Sequence, residues 1–393
     1  MRRLIYYETR KNFLTKPMLI LVLIFMFVNA LKIYSVSKEQ SPFFKLKEDY
    51  FKEAYEELYG DYKGELTDAK GDEIMSLYNS LSEKVADRTY STDKEEGSMT
   101  FNTFSDFLLL KWCFITDIEY ETGYEKYAEG IVKNAMENIS FYQENGNQYE
   151  ARVNYKIAKA FYERKLTNFY NTDGFRNLIY YDFSGIIVLL LALFGCSSVF
   201  IKDKETEMMI LLKTSPRGQT ETFVSKMIAC ILFLSCICIL FSLEDYMLFT
   251  FVFGNMDAFL EPIYMLEGFA DSLLNINLIS FYFGVCMASR ILGVIVIGIM
   301  FMISSLYGKN TLQVILVNMG ILMGLVGMYS ISEDASKLVN PLVLFYERKL
   351  FMRQSFVNVF EYPLADSVII YIFSVFLIVV GVLWMKKGWK RGC

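Results

Sequence analysis

The chain has 393 residues, 54% of them hydrophobic and 21% charged, with 34 Phe, 27 Tyr and a net charge of −5. A soluble domain is about 45–50% apolar and about 25% charged, with the two classes interspersed. Here the apolar residues gather into long blocks, which argues against a soluble enzyme and for a polytopic membrane protein. Histidine is absent, so no histidine base, nucleophile pair or metal ligand exists. The seven cysteines form no CxxC, and Cys236 and Cys238 read as packing residues. No catalytic residue and no metal site is expected.

The first 16 residues carry Arg2, Arg3, Arg10, Lys11 and Lys16 ahead of an apolar run, Met18 to Leu31, that imitates a secretory signal. The basic region is unusually long, and Lys32 can snorkel to the headgroups, so the segment reads as a retained anchor over 17–35. A helix needs roughly 20 apolar residues to cross the hydrocarbon. Five further blocks qualify, at 183–201, 227–250, 284–306, 311–330 and 365–385. In the third span Glu244 and Asp245 are placed near the outer interface with the helix running on; a broken helix is the alternative. Lys and Arg in the short loops set the orientation: fifteen lie on the side of the N-terminus and four on the other, which predicts both termini in the cytoplasm.

Segment 36–177 then lies outside the cell, with 18 Lys/Arg against 27 Asp/Glu. Its apolar spacing is helical. One stripe is Phe43, Phe44, Tyr50, Phe51, Ala54, Tyr55 and Leu58, and a second is Ile74, Tyr78, Leu81 and Val85. The strongest is Ile131, Val132, Ala135, Met136, Ile139 and Tyr142; the fourth is Val153, Ile157, Ala160 and Phe161. Some 140 residues of this kind can bury a core of their own. The fold class is therefore all-α and polytopic, with six transmembrane helices and a large helical extracellular domain between spans one and two. The tyrosines read as core packing, and the Asn138-Ile139-Ser140 sequon, lying on a helical stripe, as chance.

Between spans two and three a polar start, the apolar run Met208 to Leu212 and the turn Thr214-Ser215-Pro216-Arg217-Gly218 describe a short helix that stops abruptly. Glu205 and Glu207 suit its positive end and Lys213 its negative end. A plain solvated loop would have no need of the apolar run, so the helix is expected to dock beneath the bundle.

These residues resemble the coupling helix of the permease subunits of type-2 ATP-binding-cassette (ABC) exporters. Glu205, Leu212, Thr214, Pro216 and Arg217 carry the resemblance, with Lys204 and Glu207 beside them and Lys226 at the foot of the next span. Ile303-Ser304-Ser305-Leu306-Tyr307-Gly308-Lys309-Asn310 is similar to the family's serine-containing turn between spans four and five. Arg2 to Lys16 is similar to its interfacial helix, with Leu4, Ile5, Phe13 and Leu14 as apolar contacts and Arg2, Arg3, Arg10 and Lys11 facing headgroups. The family often has Gly after the acidic start, where this chain has Met208-Met209. The resemblance implies a coupling helix at 203–218, working as an ATPase-driven lever, and an outer gate of short helices in loop 332–364. No GxxxxGK[ST] loop is present. ATP and Mg would bind a separate ABC ATPase subunit in two copies, and a second permease chain would complete a homo- or heterodimer.

Arg290 lies inside span four, within snorkelling reach of its outer end, and a headgroup anchor is the favoured reading. A pairing with Glu244 or Asp245, or with an anionic substrate, is the alternative. Arg348, Lys349 and Arg353 would share one helix of the loop and face lipid headgroups sooner than substrate. No nucleic-acid partner is expected. The reading is a plasma-membrane exporter subunit moving a peptide, lipid or drug. The alternative is a non-transporting sensor or assembly scaffold; an ion-coupled carrier would be expected to show mid-span carboxylates and inverted repeats.

Overall fold

The computed structural model describes residues 1–40, 49–90, 103–214, 218–254, 256–331 and 340–391. The protein is an all-α polytopic membrane protein, 80% helical, with six helices long and apolar enough to span a bilayer. These are Lys16–Gln40, Asp173–Glu205, Thr220–Phe253, Leu278–Tyr307, Thr311–Ile331 and Asp366–Arg391. An even number of crossings puts both termini at one end of the bundle and the insert between spans one and two at the other.

Spans two, three and four form the centre. Their apolar windows are 78%, 56% and 61% buried, against 11%, 11% and 22% for spans one, five and six. The outer three present Leu23, Phe27, Leu312, Met323, Ile372 and Leu383 outward, where lipid or another chain can cover them. Several helices outrun their sequence blocks: span one continues to Gln40 and span two begins at Asp173. Helix propensity persists where hydropathy has already fallen, so an apolar window misses the ends. The third span is unbroken through Glu244 and Asp245.

Loop 332–364 is described from Asn340 onward. Pro341–Phe345 is a buried 3₁₀ turn, started by the Asn340 side chain accepting from Leu342 N at 3.0 Å. It enters the bundle as a wedge against spans two and four. A Cβ at Gly293 would lie 2.9 Å from the Phe345 ring, so only glycine admits the wedge there. A second turn, Glu347–Leu350, leads to the hairpin of strands Phe356–Val359 and Tyr362–Ala365.

The insert holds α-helices Asp49–Tyr62 and Asp68–Ala86, then Phe104–Leu110, which runs through a π turn into the long Thr116–Glu144, and finally Gln148–Phe161. Tyr55, Leu58 and Tyr59 pack with Ile74, Leu81, Leu110, Phe114 and Phe169 in one core. Phe43 and Phe44 lie outside the described residues. The other core is not the insert's own. Tyr124, Ala128 and Phe161 close on Tyr264, from the segment between spans three and four. Tyr120 donates to Tyr264 O at 2.6 Å, Tyr124 to Ala270 O at 3.2 Å, and Arg164 to Ser272 O at 2.7 Å. Tyrosine here packs and also donates to backbone carbonyls that a turn-rich segment leaves open. Asn138 donates to Asn154 at 3.2 Å, tying the two long helices. The strongest stripe is only partly covered: Ala135 is buried, but Met136 is 52% exposed.

Glu121 is 2% exposed within this second region, and one of its oxygens has no hydrogen-bond partner. Burial, reinforced by the carboxylates of Asp117 and Glu261, pushes it up to about 10. Asp117 rises to about 6, also through burial, against the opposing pull of Arg176. A raised carboxylate binds its proton more tightly folded than unfolded, so stability falls as pH rises from near 4.5 toward 10. Thermal unfolding followed across that range should show this decline in the wild type. Glu121→Gln should flatten it and raise Tm at the alkaline end; an unchanged slope would show that Glu121 does not titrate in this way.

Candidate functional site

Span two ends in a short helix at its foot, and a second short helix follows before span three. Here α1 denotes Arg2–Asn12, α2 Ile201–Glu205 and α3 Met208–Thr214. The sequence reading had one helix starting near Glu205. Glu207 instead sits in left-handed backbone (φ 58), and Thr206 donates to Lys202 O at 2.8 Å, which ends α2 and re-aims α3. Glu205 and Glu207 therefore close one helix and precede another. Met209 of α3 joins the buried cluster of Phe223 and Met227, while Met208 and Thr214 are exposed and Leu212 half-buried. Pro216 and Arg217 lie outside the described residues.

Charges fasten this segment on one side. Lys226 Nζ, fully buried in span three, lies 2.7 Å from Asp203 of α2 and 2.9 Å from Glu8 of α1, and donates to Val199 O at 2.9 Å. Lys11 of α1 also binds Asp203. Asn12 donates to Glu8 at 3.0 Å. Two lysines and two carboxylates give a neutral knot joining α1, the foot of span two and span three. Lys11 thus faces Asp203 instead of headgroups. Phe13 is buried against Phe233, as an apolar contact should be, but Leu14 is 52% exposed. Sequence reasoning noted Lys226 only by position and missed Glu8 and Asp203. The available signal was an acidic residue inside a basic interfacial helix.

On the other side the segment is strapped to the turn between spans four and five. Lys204 donates to Leu306 O and, at 3.3 Å, to Gly308 O. The Glu205 carboxylate accepts from Thr311 N at 2.8 Å and from its hydroxyl at 3.0 Å. Ser305 donates to Ser197 O at 2.8 Å and accepts from Phe200 N and Ile201 N, satisfying the carbonyl and amides that the helix break exposes. Ser304 and Asn318 complete the contact, with Asn318 donating to Ser197 Oγ at 2.7 Å. The two loops singled out from sequence thus meet as one assembly.

A second polar cluster lies inside the bundle. Asn29 of span one donates to Asp245 at 2.8 Å and Glu244 at 3.2 Å, and accepts from the Tyr181 hydroxyl at 2.9 Å. Arg290 lies 3.9 Å from Asp245 and donates to Tyr181 O at 3.3 Å. Arg290 is 4% exposed, so it is turned into the bundle and is no headgroup anchor. Spans one to four all contribute. Asn29, polar within an apolar run, was the unread signal.

The three basic residues of the last loop do not act together. Arg348 makes a two-pronged pair with Asp182. Lys349 lies over the rings of Tyr329 and Tyr346, 5.6 and 5.8 Å from their centres. Arg353 is past the 3₁₀ turn, exposed, and lines a groove of about 450 Å³ with Tyr127, Asn138 and Asp271. Among the described residues no group of three or more Cys, Asp or Glu could hold a metal ion.

A six-span bundle whose inter-span loops are bound into one assembly at one end, with buried charges between its central helices, defines a multi-pass membrane protein. A sequence model of the ABC-2 family transporter proteins matches residues 16–385, and the chain belongs to that family. It is the permease of an ABC-2 type transporter, a membrane component that is not itself catalytic and whose family implies a partner ATPase. No curated protein and no solved structure matches the chain.

Removing one partner of a buried ion pair strands the others and costs about 3–5 kcal/mol. Lys226→Met should therefore lower the thermal stability of the purified chain far more than the double change Glu8→Gln, Lys226→Met, which leaves Lys11 paired with Asp203. Equal losses in the two proteins would mean that the charges are not coupled.

Proposed function

We propose that this permease serves an ATP-driven exporter that moves a hydrophobic or amphipathic substrate out of the cell. ATP and Mg act on separate ABC ATPase chains, two per complex, and a second permease chain, identical or related, pairs with this one. The termini, α1 and the span two–three loop lie in the cytoplasm, and the insert lies outside, following the distribution of lysine and arginine.

The observation that carries this reading is the strapping of α2 at both ends. Asp203 is tied through Lys226 and Lys11 to span three and α1, and Lys204 and Glu205 to the turn before span five. A push on α3 is passed to spans two, three, four and five together. α3, with Met208 and Thr214 exposed, forms the surface offered to the ATPase, and Pro216 and Arg217, which follow it in sequence, are assigned to the same coupling role by the family resemblance alone. Glu207 lies at the hinge between the two short helices. A scaffold has no use for a loop bound in this way.

Charge reversal separates the two roles. With the ATPase chains reconstituted in proteoliposomes, Glu205→Arg should leave ATP hydrolysis within about twofold and reduce transport by about tenfold, because a push on α3 no longer reaches the turn at Thr311. Transport that stays proportional to hydrolysis would overturn the coupling role. A tagged chain that binds no ATPase at all would return the protein to the scaffold reading.

A further inference from the structure

Between Thr116–Glu144 and the turn after Gln148–Phe161 the insert carries a groove of about 660 Å³, within the range of ligand sites. Val132, Met136 and Phe161 give it an apolar lining, and Tyr162, 61% exposed, stands beside them. Val132 and Met136 come from the strongest amphipathic stripe of the insert and Phe161 from the fourth. Among the described residues the first stripe is only partly covered, and its exposed Met136 is available to another molecule.

The rim is acidic. Glu125, Glu129 and Glu137 line it along one helix row, interrupted by Lys133, and Glu163 closes the far side from left-handed backbone (φ 57). Lys165 lines it too. Arg164 is committed to the fold: it donates to Ser272 O and Leu274 O and lies over the rings of Phe161 and Tyr264. The lining therefore carries four carboxylates against two lysines and the Arg164 guanidinium, whose donors are turned to backbone carbonyls, on an insert with nine more acidic than basic residues over 36–177.

Apolar lining and acidic rim select an occupant that is apolar on one side and positive at its flanks. An anionic lipid headgroup would be repelled, and a neutral acyl chain would gain nothing from the carboxylates. We propose that this groove binds a cationic amphipathic peptide, a reading that stands on the groove alone. Attraction between the rim and the peptide's cations guides the encounter, and apolar side chains seated against Met136 and Tyr162 hold the complex.

The test uses the full chain in phosphatidylcholine nanodiscs and a fluorescein-labelled Leu/Lys helical peptide of about 18 residues, long enough to form a helix. Fluorescence anisotropy should show saturable binding that weakens with salt and is absent on empty nanodiscs. Replacing every Lys of the peptide with Glu should weaken it by at least about tenfold, as should the triple variant Glu125→Gln, Glu129→Gln, Glu137→Gln. Met136→Ser should weaken it severalfold. All four residues are exposed, so unchanged thermal unfolding of these variants shows that the fold is kept. Equal affinity for the triple variant, equal binding to empty nanodiscs, or preference for the Glu peptide would each overturn the groove. Because no ATPase enters the measurement, that failure leaves the permease reading standing.

Discussion

The amine of Lys226 has no water to turn to. It is fully buried, and its charge is met by Glu8 and Asp203, while Lys11 meets the remaining charge on Asp203. Desolvating one ion at such a site costs several kcal/mol, and only the complete set returns it. The consequence is geometric. α1, the foot of span two and span three must hold one arrangement, since any slip strands a charge. The short helix that follows span two inherits that rigidity, and the opposite strap, Lys204 and Glu205 on the turn at 306–311, brings in spans four and five. The apolar run Met208 to Leu212 led to the expectation of a docked helix, and charges at 203–205 fasten the described part of the segment as well.

How much of this was legible follows from the range of each interaction. Six spans and the helices of the insert are local properties, written in runs of apolar residues and in 3.6-residue spacing, and the structure has both, beside a short strand pair, Gly64–Glu65 with Asn168–Phe169, that the spacing does not show. The ends of the spans were not, because Ser37 and Asp173 are helical without being apolar. The polar contacts were least legible. Lys226 meets Glu8 across 218 positions and Asn29 meets Asp245 across 216, and no spacing rule reaches that far. The insert's dependence on the segment after span three was invisible for another reason. Tyr120, Tyr124 and Arg164 donate to backbone carbonyls, and carbonyls leave no mark in a sequence.

The two charged clusters, taken together, rank the seams of the bundle. Spans two and three meet at the Lys226 knot, and Asp245 with Arg290 ties spans three and four further along. Parting those helices would uncover ions. Among the described residues spans five and six are attached within the bundle by neutral groups, and the one carboxylate that reaches span five, Glu205, binds only its first residue, Thr311. Asn318 and Ser304 join span five to spans two and four, and Tyr371 of span six pairs with Ser289 at 2.6 Å. A neutral hydrogen bond contributes about 0.5–1.5 kcal/mol, well below the cost of exposing a buried charge pair to hydrocarbon. The Pro341–Phe345 wedge enters next to this weaker seam, against glycines of spans two and four. The soft boundary of the permease thus runs between the three central spans and the last two. A pathway that opens there keeps both ionic clusters whole, whereas one through the middle of spans two to four would have to break them.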